Sequence, residues 1–268
     1  MVQESLLNQP LIYHYCSPSS FEGIISTREL WLSNVEYAND PLEKKYFLKL
    51  IDELSFEDEN ENTKYQIKKE IEEIAGAFSL YSFSFLKNTD SLTGWRTYGK
   101  KGTGFAIGFV QSLCEKPDLD LKYKDVIYDF DNQIHIIEAF ISKYIAEQNV
   151  SLTIQEKADQ MMLWNQNAVE NLSIIKQNAY KDEEECRLMI QLREQHILRK
   201  RIKFSFSGDR FFTYIPLKFS DIFPCSSAAI EKVIIGPNNI AKESDIQIFL
   251  ENNGIENVIV EKSKVYMR

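Results

Sequence analysis

Glu183, Glu185 and Arg187 stand at alternate positions just ahead of the apolar run Leu188-Met189-Ile190. If this stretch is extended, alternation places the two carboxylates and the guanidinium on one face, with Glu184, Cys186 and Leu188 on the other. Carboxylates held in that way stabilise a developing cation or accept a proton, and a neighbouring guanidinium keeps them ionised. A solvated acidic turn before an ordinary strand would use the same residues, so both readings stand at this point. His14 lies in the apolar, aromatic run Leu11-Ile12-Tyr13-His14-Tyr15, beside the polar turn Ser17-Pro18-Ser19-Ser20. A histidine so placed serves either as a ligand contact or as a hydrogen-bonding part of the framework. Trp31, Tyr37, Trp95 and Tyr98 adjoin polar residues or glycine, and such rings either stack on a planar ligand or complete the core.

Other chemistries find less support. The four cysteines (Cys16, Cys114, Cys186 and Cys225) are scattered without a CxxC pair, which fits free thiols in a reducing cytoplasm and leaves no structural zinc site. Asp40, Glu43, Glu183 and Glu185 have the ligand type for Mg²⁺ or Mn²⁺, but the first pair is explained by helix capping, and no metal site is expected. No Gly-x-Ser-x-Gly elbow occurs. Gly102 and Gly104 are spaced too loosely for a dinucleotide fingerprint and read as a hairpin turn.

The elements that must position these residues can be read from periodicity. Strands are expected over 11–15, 30–33, 77–85, 105–109, 121–128, 183–190, 231–235 and 256–261, with a change of phase at Tyr81 that suggests a bulge. Residues 202–206 and 211–215 form a hairpin through Ser207-Gly208-Asp209. Helices are expected from Asp40, as cap, to about Leu54, then over 64–74, 132–148, about 153–178 and 241–250, with a short one ending at Gly99. Residues 55–63, with four acids, read as a solvated loop. The mixed order favours α+β over regular βα alternation. With no proline- or glycine-rich linker, the chain reads as a single domain over 1–268 with a helical insertion at about 132–178.

A net charge of −9 argues against broad nucleic-acid binding, although not against a local basic groove. No apolar run reaches the roughly 18 residues that would span a bilayer, so no membrane association is expected. Residues 1–5 lack a basic region followed by an apolar core, so a cytoplasmic location is expected.

Taken in order, several motifs together resemble one bacterial family. They are Leu11 to Tyr15, Gly23-Ile24-Ile25, Leu30-Trp31-Leu32-Ser33-Asn34 and Asn39-Asp40-Pro41-Leu42-Glu43. Further on come Ser82-Phe83-Ser84, Trp95-Arg96-Thr97-Tyr98-Gly99, Gly102 to Phe109, Tyr180 to Arg187 and Ile235-Gly236-Pro237. The set resembles domain of unknown function 2971, with Cys186 standing where that family usually has an aromatic residue. More distantly, a first strand bearing His, a strand bearing Ser and a late strand bearing Glu are similar to the ADP-ribosyltransferase arrangement. That similarity implies a mixed or antiparallel β core of ADP-ribosyltransferase-like type with inserted helices, and NAD as substrate. It implies His14 on the adenosine ribose, Ser84 or a nearby aromatic at the nicotinamide, Glu185 as the catalytic carboxylate and Glu183 positioning the acceptor. Tyr15, Asn34, Tyr37, Trp95, Tyr98 and Arg187 complete the implied NAD-binding set.

The expected function is therefore ADP-ribosyl transfer to an unknown macromolecular acceptor, or NAD hydrolysis with water in its place. A toxin or phage-defence effector would suit such a chain. Two other classes remain open: a non-enzymatic nucleotide-sensing or protein-interaction module, and a metal-dependent nuclease. Oligomeric state is left open.

Overall fold

A computed structural model describes residues 10–37, 42–54, 61–77, 79–111, 119–148, 153–192, 196–207, 210–223 and 229–267. The expected capping by Asp40, residues 55–60 of the expected 55–63 loop and the 208–209 turn lie outside these residues, as do Cys114 and Cys225, while residues 61–63 of that loop instead begin a helix. Cys16 and Cys186 are buried free thiols.

The first strand, β1 (Leu11–Cys16), is followed by α1 (Pro18–Thr27). Ser17 caps α1 by accepting from the Ser20 N–H, Pro18 occupies the first turn, and Arg28 ends it in the left-handed region at φ 54°. Then come β2 (Glu29–Asn34), the 3₁₀ turn Val35–Tyr37, α2 (Leu42–Glu53), α3 (Glu61–Ala77) and β3 (Ser79–Leu86). The middle of the chain holds α4 (Leu92–Thr97), β4 (Phe105–Val110), β5 (Lys122–Asp125), α5 (Phe130–Gln148) and α6 (Ile154–Ile174). A 3₁₀ turn at Asn178–Glu183 leads into β6 (Glu185–Leu192), then β7 (Lys203–Ser207), β8 (Arg210–Lys218), α7 (Phe219–Ile222), β9 (Ile230–Ile235), α8 (Glu243–Asn252) and β10 (Ile259–Lys262).

These strands form one open, mixed sheet in the order β10-β9-β4-β1-β3-β2-β8-β7, with β6 added on β3 and β5 on β6. Among the described strands, β9 and β10 pair in parallel, as the intervening α8 allows, and the other pairs are antiparallel. β3 is the branch point. β6 pairs with it along its whole length, from Ser79↔Leu192 to Leu86↔Glu185. Its other edge must therefore be shared, β2 pairing at Ser82 and Tyr81 and β1 at Leu86. The expected bulge at Tyr81 is absent: β3 runs in register, and Leu80 and Tyr81 are both buried because both faces of the sheet are covered.

One face is covered by the largest core, which joins Ile12, Phe83, Phe85, Phe109, Cys186 and Leu188 to α1 and α7. The opposite face carries a second core, in which α2 and α3 pack with α5 and α6 over Leu80 and Met189. Within the expected insertion, α5 and α6 are thus part of a four-helix cover shared with α2 and α3. Gly102 and Gly104 do not form a hairpin turn. Gly102 has φ +80°, and the Gly236 N–H donates to the Gly104 carbonyl at 3.0 Å, so these glycines permit close backbone packing between two segments.

Candidate functional site

The short 3₁₀ turn before β6 and the start of β6 deliver the two carboxylates by different means. Glu185 is the first strand residue, and its register with Leu86 aims it, with Arg187, at the helical side of the sheet. Glu183 is not on the strand. It ends the 3₁₀ turn, and Glu184, in the left-handed region at φ 45°, swings the chain so that Glu183 reaches the same place. The expected alternation therefore holds for Glu185 and Arg187, while a turn rather than a pleat places Glu183.

Four charged side chains close on one another here, and all are buried: Lys176, Glu183, Glu185 and Arg187. The Arg187 guanidinium grips Glu185 with two bonds, Nε to Oε1 at 2.7 Å and Nη2 to Oε2 at 3.0 Å. Lys176 Nζ bridges the carboxylates, 2.7 Å from Glu183 Oε2 and 3.2 Å from Glu185 Oε2. Tyr98 donates its hydroxyl to Glu183 Oε1 at 3.1 Å, and the Tyr128 hydroxyl accepts from the Glu185 N–H at 3.1 Å. Burial alone would raise the Glu185 pKa. The Arg187 charge and hydrogen bonds, then Lys176 and the Ser84 hydroxyl, overcome this and hold it at about 2. Tyr98 and Tyr128 shift the other way, because burial and the nearby carboxylates disfavour a phenolate.

The cluster has one rim open to solvent. Tyr98 is 37% exposed and Tyr180 38%, the Tyr180 ring lying 4.9 Å from Lys176 Nζ. Beneath them two acids and two bases balance, so the floor is polar, ionised and neutral overall. Lys176 was not foreseen. It follows α6 at a bridge between Ile127 and Ile175, and Gln133, fully buried on α5, clamps that bridge by donating to the Ile127 and Lys176 carbonyls, both at 2.7 Å. The only local clue was a lone lysine between an apolar helix end and a polar turn, a common surface pattern.

His14 is elsewhere. The pairs Tyr13↔Leu86 and Leu86↔Glu185 put Tyr13 on the Glu185 face, so His14 belongs to the opposite one. Its ring lies 4.2 Å from that of Phe83 and edge-on to Phe85, both in the larger core. The expectation that His14 and Glu185 line one cleft is therefore corrected. At the branch of the sheet part of the β3 edge lacks a strand partner, and His14 Nδ1 donates to the Ser84 carbonyl there at 3.0 Å. Burial lowers the His14 pKa to about 4, partly offset by that bond, so the ring is neutral near pH 7.

The remaining expected contacts divide similarly. Ser84 lies opposite Arg187 on the Glu185 face, and its hydroxyl helps lower the Glu185 pKa. Tyr15 shares the Glu185 side, but its hydroxyl is engaged, donating to the Asn88 carbonyl at 3.2 Å and accepting from the Ser91 N–H at 2.7 Å. Trp95, expected to meet a ligand, is fully buried against Tyr15 and donates to Asp90 Oδ1, so it serves the core. Asn34 is buried and accepts from the Glu36 N–H at 2.9 Å, closing the turn after β2. Tyr37 ends that 3₁₀ turn, and its side chain lies outside the described ones. Among the described residues no His, Cys, Asp and Glu group could hold a metal ion, and no helix is long and apolar enough to cross a membrane.

The His14 geometry gives a pH prediction. The unfolded chain takes up a proton near pH 6.5 and the folded ring only near 4, so this group's contribution is complete above 6.5 and fades as pH falls to about 4. His14→Leu removes that slope and orphans the Ser84 carbonyl, at a cost of about 1–3 kcal/mol at pH 7. Urea titrations across this range check both effects. A wild-type slope retained in the variant would assign the pH dependence to other groups.

Residues 95–188 match a family model described as a protein of unknown function, DUF2971. That stretch contains Tyr98, Tyr128, Lys176, Glu183, Glu185 and Arg187, and so the whole charged cluster except Ser84. No curated protein and no solved structure matches the chain.

Proposed function

We propose that this chain, which matches the DUF2971 model over residues 95–188, is an ADP-ribosyltransferase-like enzyme that cleaves the nicotinamide–ribose bond of NAD and transfers ADP-ribose to a macromolecule. The observation that carries this reading is the convergence on Ser84. Ser84 accepts from His14 at its backbone carbonyl and lies opposite Arg187, which grips Glu185, so the histidine, serine and glutamate of the resemblance are linked through one residue of β3. His14 acts by holding the branch of the sheet and not by touching the ribose.

Loss of nicotinamide leaves an oxocarbenium-like sugar, and a fixed, ionised carboxylate stabilises that charge without reorganising. Glu185 is such a group, kept ionised far below neutral pH. Glu183, nearer the Tyr98 and Tyr180 rim, is placed to orient an acceptor hydroxyl or water. Lys176 serves both acids, so approach of a cationic centre to either shifts the balance it holds.

A second reading has its own support. Each carboxylate already has a cationic partner within the fold, which suits a nucleotide-sensing or interaction module without turnover. Nicotinamide release from NAD separates the two. The enzyme reading expects release, falling on the order of 10²–10³ in Glu185→Gln with the thermal melt preserved. NAD that raises the melting temperature without being consumed favours the module. The absence of both release and a melting shift would remove NAD from both readings.

A further inference from the structure

Away from the charged cluster, the β7–β8 hairpin and the 3₁₀ turn Ile197–Arg201 before it form a basic surface on an acidic protein. Residues 196–218 contain six Lys and Arg and one acid, in a chain of net charge −9. Lys200, Arg201, Lys203, Pro216 and Lys218 line a groove here, and all but Pro216 are exposed. Two acids share it: Asp221 is tied to Arg201 at 2.7 Å, and Glu29 accepts from Trp31 Nε1 at 3.4 Å.

Trp31 stands at the margin of this groove. Register places it opposite Pro216, and Lys203 opposite Tyr214, so Trp31, Tyr214, Lys203, Pro216 and Lys218 share one face of the sheet. The Trp31 ring stacks on Tyr214 with centroids 4.3 Å apart and an interplanar angle of 25°, and remains 42% exposed. Tyr214 thus backs the indole, whose exposed part is available to a planar guest. Lys203 lies across β7–β8 from Tyr214, and Lys218 lies four residues further along β8, roughly 13 Å away at about 3.3 Å per residue.

We infer that this groove binds single-stranded nucleic acid, one base stacking on Trp31 while neighbouring phosphates meet Lys200, Lys203 and Lys218. Charge complementarity selects a polyanion, and the indole selects one with an exposed base face. A duplex hides its base faces, and an acidic peptide has none. The acidic remainder of the chain repels phosphate and confines binding to this edge. The inference is independent of NAD chemistry.

Fluorescence anisotropy with labelled oligothymidine and oligouridine of ~12 nucleotides, at about 50 and about 200 mM salt, tests it. The protein should bind both strands, more weakly at the higher salt. Lys203→Ala and Lys200→Ala should each weaken binding and lower the salt slope by about 1. Trp31→Ala should weaken it about 5- to 100-fold with the slope unchanged. Thermal melts confirm that each variant is folded, and the same melts guard against loss of the Tyr214 stack. Phe204 and Phe206, 65% and 77% exposed, occupy the other face of β7, and Phe206→Ser should leave binding unchanged. No binding at the lower salt overturns the inference, as does a hairpin duplex bound equally well. Binding indifferent to Trp31→Ala also overturns it, leaving only a general polyanion surface. Binding lost in Phe206→Ser moves the contact to the opposite face.

Discussion

Replacing Arg187 with Met is expected to destabilise the protein by about 3–5 kcal/mol, as breaking a buried ion pair from one side typically does. The guanidinium holds both Glu185 oxygens and also donates to the Ser173 carbonyl, tying β6 to the end of α6. Without it Glu185 stays buried, and Lys176 alone must serve two carboxylates. The double variant Glu185→Leu, Arg187→Met should lie within about 2 kcal/mol of wild type, since replacing a whole buried pair by apolar residues is often neutral. It leaves Lys176 and Glu183 paired and the charge balanced. Urea unfolding of the three proteins is the check, and a single variant as stable as wild type would mean that water already solvates the cluster. The pH dependence gives a second readout. In wild type the stability that Glu185 supplies is complete above about 4.5 and is lost as pH falls towards about 2. In Arg187→Met the supporting charge is gone, so the Glu185 pKa rises towards its unfolded value and this acid-side loss should shrink.

Gly104→Ala is expected to prevent folding or to leave a protein that melts far below wild type. A Cβ at Gly104 would sit 2.0 Å from the Cys16 carbonyl oxygen, a distance no contact tolerates. Relief is blocked on both sides. The Gly104 N–H donates to the Gly99 carbonyl and its own carbonyl accepts from Gly236, while Cys16 is held in register with Phe105. Gly23, within α1, is the contrast, because a Cβ there meets nothing within 4 Å. Gly23→Ala should therefore stabilise the protein by about 0.5–1 kcal/mol through helix propensity and a less flexible unfolded chain. Solubility and thermal melts of the two variants decide the matter. Wild-type stability in Gly104→Ala would show that the approach of β1 and β4 is looser than described.

Several elements were legible because their causes are local. Ser17 and Pro18 are helix-start residues and α1 begins there, and the helix expected from about Thr153 is α6, where Thr153 and Glu156 form a capping box. The run Phe105 to Val110, apolar on both faces, announces a strand with cover on both sides, as β4 has. Glu185 and Arg187 were legible as a same-face pair because their separation of two matches the strand period. Tyr81 misled, since a break in alternation reads as a bulge unless the second face is also known to be covered.

What the sequence determined by itself was the kind of protein: mixed α and β elements, their helix starts, and the motifs within residues 95–188, where the family model matches. Only the tertiary structure decided which motifs meet. The face on which His14 falls depends on its register through β3 to β6, and a shift of one residue would have reversed it. Lys176 reaches the carboxylates because Gln133, far earlier in the chain, clamps the segment that carries it. Trp95 is sealed from solvent because Tyr15, on a strand nearly eighty residues away, packs against it. Each of these outcomes rests on a contact between distant segments, and local periodicity carries no information about such contacts.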